Sequence, residues 1–121
     1  MHAEDTVTAL FEVKPVDAEF YRRHLAGFLP PRIFDLHTHV WLKEFRSTTG
    51  TESRGPAWPR RVAAESPIQE LLETYRLLLP NQEVTPLVFG WPERDANLEQ
   101  TNAYTSRVAR EHNLPALLVT T

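Results

Sequence analysis

Cysteine is absent from this chain of 121 residues. Without a thiol there can be no disulfide, thiolate metal ligand or cysteine nucleophile, so any bound metal must be held by nitrogen and oxygen atoms. Glycine is also scarce, with four residues, at positions 27, 50, 55 and 90. The Walker phosphate loop is excluded because Pro56, and not Lys, follows Gly50 and Gly55. The spacing of the four glycines excludes the dinucleotide-binding fingerprint and the Gly-x-Ser-x-Gly nucleophile elbow.

Long apolar runs and a strong net charge are missing as well. No stretch reaches the roughly eighteen apolar residues of a membrane span, and the opening Met-His-Ala-Glu-Asp lacks the basic start of a signal peptide. The net charge of -3 and a pI near 5.9 give no electrostatic footprint for nucleic acid. We therefore expect a cytoplasmic protein with neither a nucleic-acid nor a membrane partner, and at 41% hydrophobic residues at most one ordinary core.

The most informative feature present is residues 33–40, with the sequence Ile-Phe-Asp-Leu-His-Thr-His-Val. A strand turns successive side chains to opposite faces, so Asp35, His37 and His39 should share one face of it. Two imidazoles on one side of a strand end, followed by a long polar loop, predict His37 and His39 as metal ligands. Two histidines that are hydrogen-bonded at a strand end without a metal remain the alternative.

Residues 1–31 are predicted to form an N-terminal arm and a packing helix. The arm is predicted from the alternation of apolar residues up to Val13. The helix would be capped by Asp17 and ended by Gly27 and Pro30-Pro31. Its expected buried stripe consists of Phe20, Tyr21, His24, Leu25 and Phe28.

Residues 32–121 alternate between strand and helix patterns. The predicted elements are a strand at 32–39, a helix capped by Ser66 with Pro67 in its first position, a strand from about Pro86 to Gly90, a helix from Asp95 to His112, and a strand at 116–120. In the second helix, Leu98, Thr101, Thr105, Val108 and Ala109 should face inward. Between the first strand and the first helix, residues 41–65 form a loop of the length that is usually functional or disordered.

This order predicts two right-handed crossover units and a parallel sheet of about three strands, which is an α/β architecture. The last strand has no helix after it and nothing to protect its edge. We therefore expect the chain to be part of a larger structure.

The Asp35-Leu-His37-Thr-His39 motif after an apolar strand, followed by helix and strand units, resembles the amidohydrolase superfamily, in particular its amidohydrolase-related metal-dependent hydrolases. The resemblance implies the first three strands of a (β/α)8 TIM-type barrel. It implies that His37 and His39 hold a divalent metal, commonly zinc, which activates water to attack a carbonyl-type bond. Further ligands and the proton-handling Asp would come from later strands, so we expect poor metal retention and little or no activity of the isolated chain.

Two other residues have candidate roles. Asp35 lies one layer below His37 and could orient a ligand from the second shell, although a carboxylate bonded to backbone explains it equally well. Trp91 directly follows the second strand at the active end and is the best candidate for substrate contact. Basic residues and tryptophans around the loop would suit a small carboxylate-bearing substrate, and solvated charges would explain the same pattern.

Other functions are compatible with the same Asp35-Leu-His37-Thr-His39 motif. It also resembles the first motif of polymerase-and-histidinol-phosphatase (PHP) phosphoesterases, but those continue with a small residue and Asp-Gly, whereas this chain continues Val40-Trp41-Leu42. Decarboxylases and isomerases of the amidohydrolase superfamily share the opening motif. A noncatalytic fragment that associates with itself or with a complementary chain through an open sheet edge is a further alternative.

Overall fold

The computed structural model describes residues 12–45, 63–92 and 96–120. These ranges contain α1 (Pro15–Phe20), which continues as a π-helical segment (Tyr21–Leu25), then β1 (Arg32–His39), a 3-10 turn (Lys43–Phe45), α2 (Ile68–Leu78), β2 (Glu83–Phe89) and α3 (Leu98–Glu111). The mixed α/β order predicted from the sequence is confirmed for these elements. None of the helices in the described ranges is both long and apolar enough to cross a bilayer.

The two strands lie side by side in one sheet. The backbone N–H of Glu83 donates to the carbonyl of Pro31 at 2.8 Å, and the N–H of Val40 donates to that of Phe89 at 2.9 Å. Residue numbers on the two strands increase together along the pairing, so the strands are parallel and both carboxyl ends lie at the same edge. A parallel pair joined through α2 is the predicted crossover unit.

The predicted third strand is wrong beyond its first residue. Ala116 forms a single parallel bridge with Val88, in which Leu117 donates its N–H to the Val88 carbonyl at 3.0 Å. Further along, the Asn102 side chain donates to the Val119 carbonyl at 2.8 Å and accepts the Val119 N–H at 2.9 Å. The amide of a helix residue thus takes the backbone groups that a neighbouring strand would otherwise bind.

The start of α3 is also corrected. The prediction placed the cap at Asp95, which lies outside the described residues, but the helix begins at Leu98 and its cap is Asn97. The Asn97 side-chain oxygen accepts the backbone N–H of Gln100 at 3.0 Å, the standard N-cap contact. The inward stripe is confirmed at Thr101, Thr105, Val108 and Ala109, with Tyr104 added and Leu98 only partly buried.

Packing divides the chain into two compact units. The first comprises Met1–Ile33 and Ile68–Val84, and its described part contains α1 and α2. Here Ile68 is fully buried and α2 begins one residue after the predicted start at Pro67. The second comprises Phe34–Pro67 and Thr85–Thr121, and the side chains of Val40, Val88 and Val108 form its core together with the buried face of α3.

The N-terminal helix departs most from its prediction. It begins at Pro15, and Asp17 is its third residue, where the carboxylate accepts the Lys14 N–H at 3.2 Å. Of the predicted stripe only Tyr21 is buried, whereas Phe20 is 55% and Phe28 80% exposed. Tyr21 is held by its hydroxyl, which accepts the Asn81 N–H at 3.1 Å and donates to Gln82 Oε1. The predicted arm lies mostly outside the described residues.

Candidate metal centre

The two motif histidines lie at the carboxyl end of β1, and their rings converge. His37 Nε2 and His39 Nε2 are 3.2 Å apart, and the ring centroids are separated by 5.1 Å. Strand alternation places both rings on one side, as the spacing predicted. His37 is exposed and His39 is half-buried, so one face of the pair is open to solvent.

The other ring nitrogen of His39 contacts the backbone of the second strand. His39 Nδ1 lies 3.0 Å from the carbonyl oxygen of Gly90. A carbonyl only accepts hydrogen bonds, so Nδ1 carries the proton in this contact and the neutral ring keeps its lone pair on Nε2. Because Nε2 then accepts, the contact with His37 is made by a proton on His37 Nε2.

The surroundings of His39 favour the uncharged ring. Burial lowers the pKa of His39, the Gly90 carbonyl raises it in part, and the charge of a protonated His37 lowers it further; the net direction is downward. A metal ligand must be neutral imidazole, so the site lowers the cost of deprotonation before a cation arrives.

Asp35 lies on the same strand, and its Oδ1 accepts the backbone N–H of His37 at 3.2 Å. This contact is to the main chain of a candidate ligand and not to its ring. It holds the backbone that carries His37, which is compatible with either sequence interpretation. An orienting role for Asp35 therefore stays a prediction.

Two aromatic side chains, Phe89 and Trp91, lie beside the histidine pair, and Trp41 packs on Trp91. We call these three residues the aromatic wall. The Phe89 ring centroid lies 4.4 Å from that of His39 and 5.4 Å from that of His37. Trp91 is 4.8 Å from His39 and 5.7 Å from Trp41. Trp91 thus lies beside the pair, where its position after β2 led us to expect it.

Gly90 is the residue of this site that the sequence analysis did not select. It is buried, and it supplies the carbonyl that His39 binds. A Cβ at this position would lie 2.0 Å from Thr101 Cγ2, closer than any real contact, so the first turn of α3 packs directly on the Gly90 backbone. One of only four glycines, directly after a buried strand that ends beside the motif, was the available signal.

The two ends of the long loop are fixed near the aromatic wall. Trp41 and Ser66 exchange backbone hydrogen bonds at 3.0 and 2.9 Å, and Trp41 Nε1 donates to the Ala64 carbonyl at 3.2 Å. The Lys43 N–H donates to the Glu65 carboxylate at 3.3 Å. Residues 46–62 lie outside the described residues, and they include four of the basic residues predicted to surround the loop, Arg46, Arg54, Arg60 and Arg61.

The spacing of the ring nitrogens fits a metal ion. Two nitrogens bound at about 2.0–2.1 Å to one tetrahedral zinc lie roughly 3.3 Å apart, close to the observed 3.2 Å. The backbone contact at Nδ1 is the arrangement that metal-binding histidines usually have. Within the described ranges no third His, Asp or Glu joins the pair in a metal-binding group, so the other coordination positions need a further ligand, water or substrate.

Comparison of the chain with protein-family models, curated proteins and solved structures gives no match in any of the three.

Proposed function

We propose that the chain carries a divalent-metal centre of the amidohydrolase type, in which His37 and His39 bind the ion and the reaction is hydrolysis of a carbonyl-type bond. One observation supports this most directly: His37 Nε2 and His39 Nε2 converge to 3.2 Å while His39 Nδ1 contacts a backbone carbonyl at 3.0 Å. The parallel pair of β1 and β2 with α2 between them supports the further proposal that these elements are the first units of a (β/α)8 barrel.

In this proposal each residue of the site has a separate role. His37 and His39 would supply neutral imidazole nitrogens. His37 would bind through Nε2 in the tautomer that carries its proton on Nδ1, which it reaches by proton exchange with water, so the ring stays neutral. When bound, zinc would supply Lewis-acid catalysis, which makes water acidic near neutral pH and polarises a carbonyl group. Phe89 and Trp91 exclude water from one side of the pair, which strengthens electrostatic interactions there. Trp91 offers its flat surface to the apolar part of a small substrate.

Metal binding is tested first, by isothermal titration calorimetry of the intact chain with zinc. We expect measurable binding that a His37→Ala, His39→Ala variant loses. The matched control is His24→Ala, His112→Ala, which removes as many imidazoles from two exposed helix positions. It should bind zinc like the natural chain. Equal zinc binding by the two double variants would remove the ligand assignment.

The reaction is tested on the zinc-loaded chain with simple esters, amides, aryl carboxylates and phosphate monoesters. Release of acid from an ester or amide supports hydrolysis, loss of carbon dioxide supports the decarboxylase alternative, and phosphate release supports the phosphoesterase alternative. We expect low rates, since two protein ligands hold zinc more weakly than the three of working catalytic sites. Zinc binding without turnover is the result expected of an incomplete site, so the identity of the product discriminates between the reactions only where a rate is measured.

A further inference from the structure

Gly90 connects the packing of α3 to the geometry of His39. Its carbonyl accepts the Nδ1 proton of His39 at 3.0 Å, while its Cα faces the side chain of Thr101 in the first turn of the helix. Among the described residues no glycine has a positive φ angle, so Gly90 is not needed for an unusual backbone conformation. It is needed for space.

We propose that Gly90 is a positioning residue for His39: the absence of a side chain at 90 lets α3 seat on the end of β2, and that contact holds the carbonyl which fixes the Nδ1–H form of the His39 ring. This inference rests on the proposed metal centre for its functional meaning. Its structural part, the state of the His39 ring, stands independently.

The helix side of the contact cannot easily yield. Thr101 is 1% exposed, and its Oγ1 donates to the Asn97 carbonyl at 2.8 Å. In the next turn, Thr105 Oγ1 donates to the Thr101 carbonyl at 2.9 Å. An added methyl group at 90 therefore displaces the strand end, and with it the carbonyl that His39 binds.

The steric clash caused by a Cβ at position 90 involves one atom, Thr101 Cγ2. A second substitution that removes this atom should therefore relieve the clash. A Cβ at position 90 would lie 2.0 Å from Thr101 Cγ2, but 3.5 Å from Thr101 Cβ and 3.9 Å from Thr105 Oγ1, which are ordinary contacts. Thr101→Ser removes only Cγ2 and keeps the hydroxyl. Thr101→Val keeps a methyl group and removes the hydroxyl, so it serves as the matched control that should not rescue.

The experiment compares the full chain with Gly90→Ala, Thr101→Ser, Gly90→Ala/Thr101→Ser and Gly90→Ala/Thr101→Val. Long-range ¹⁵N NMR of the metal-free chain reports which His39 nitrogen carries the proton, and zinc titration gives the affinity. We expect Gly90→Ala to lose the Nδ1–H form and to bind zinc about 10 to 100 times more weakly. The double variant with Ser should recover both properties, and the one with Val should recover neither.

Thermal unfolding separates positioning from general damage. If Gly90→Ala does not fold, Gly90→Ala/Thr101→Ser still tests the proposal. The proposal requires this double variant to fold and to show the Nδ1–H form of His39. The proposal is overturned if folded Gly90→Ala keeps the natural ring form, or if Ser rescues no better than Val. Absence of zinc binding in the natural chain would refute the proposed function while leaving the NMR comparison valid for Gly90.

Discussion

The carboxyl ends of β1 and β2 and the N-terminal helical segment, residues 15–29, make opposite uses of their apolar side chains. At the strand ends, the Phe89 and Trp91 rings pack against His39, and the adjacent Gly90 is buried. In the helical segment, Val16 is 68% and Phe28 80% exposed, and Tyr21 alone is buried. The helical segment is therefore held at one buried side chain, Tyr21, whose hydroxyl also makes two hydrogen bonds.

The two regions differ in how far the periodicity of side chains in the sequence predicts where those side chains lie. A strand's alternation is set by backbone geometry, so His37 and His39 share a face whatever lies around them. A helical apolar stripe predicts burial only if a partner surface exists to cover it. A helical apolar stripe is therefore buried in α3, whereas in α1 most of its side chains are exposed.

The largest effect should come from Tyr21, since burial in the helical segment is concentrated there. We expect Tyr21→Ala to lower the free energy of unfolding by about 3 kcal/mol, because it removes a buried ring. Phe28→Ala should change it by no more than about 0.5 kcal/mol, as at exposed positions generally. Urea unfolding followed by circular dichroism measures both.

Tyr21→Phe isolates the hydroxyl contribution, which links the ring to Asn81 and Gln82. Its loss should cost about 1 to 2 kcal/mol, because the Asn81 N–H and Gln82 Oε1 both lose their hydrogen bond to the hydroxyl. If Phe28→Ala proves as costly as Tyr21→Ala, the apolar stripe is covered in solution and the contrast between the two regions fails.

At the strand ends, Asp35 offers the next effect. Asp35→Ala removes the oxygen that accepts the His37 N–H, and we expect about tenfold weaker zinc binding, the low end for groups that support metal ligands. Asp35→Asn retains an acceptor oxygen and should bind zinc more tightly than the Ala variant. Unchanged affinity in Asp35→Ala would assign this carboxylate to the backbone alone.

Asn97 should give a smaller effect, on stability. Asn97→Ala removes the cap of α3 and should cost about 1 kcal/mol, while Asn97→Ser keeps an oxygen for the Gln100 N–H and should cost less. Thermal unfolding of the three chains measures the difference. If Ala and Ser are equivalent, the cap contributes nothing measurable, and the first turn of α3 is held by its packing on Gly90.

These residues also mark how far the sequence could predict the structure. Local rules were sufficient for β1, for most of the buried stripe of α3 and for the shared face of His37 and His39, since each depends on backbone periodicity. The start of β2 was wrong: we placed it near Pro86 because proline lacks a ladder donor, but the strand begins at Glu83 and Pro86 lies inside it. The cap of α3 was misplaced because Asp95 and Asn97 are both good caps and only packing selects between them. Strand pairing at 116–120 failed because Asn102, distant in sequence from β2, takes the backbone groups of Val119.

Gly90 shows a further kind of limit. Nothing local to the glycine indicates that Thr101 would press against it or that His39 would bind its carbonyl, since both partners approach through tertiary structure. The shared face of His37 and His39 was therefore predictable from the motif, whereas the groups that fix the orientation of the His39 ring were not.

The smallest effect should be a pH dependence of stability that belongs to the strand ends and not to the helical segment. The pKa of His39 is lowered in the folded chain, chiefly by burial, whereas in the unfolded chain it should be near its usual value of about 6.5. Between these two values the unfolded state binds more protons, so the free energy of unfolding falls as pH decreases through this window and levels off below the folded pKa. In metal-free buffer containing a chelator, His39→Ala should flatten this part of the profile. A profile that His39→Ala does not alter would mean that the ring is as well solvated as an unfolded histidine, and the strand ends would then lose the electrostatic feature that separates them from α1.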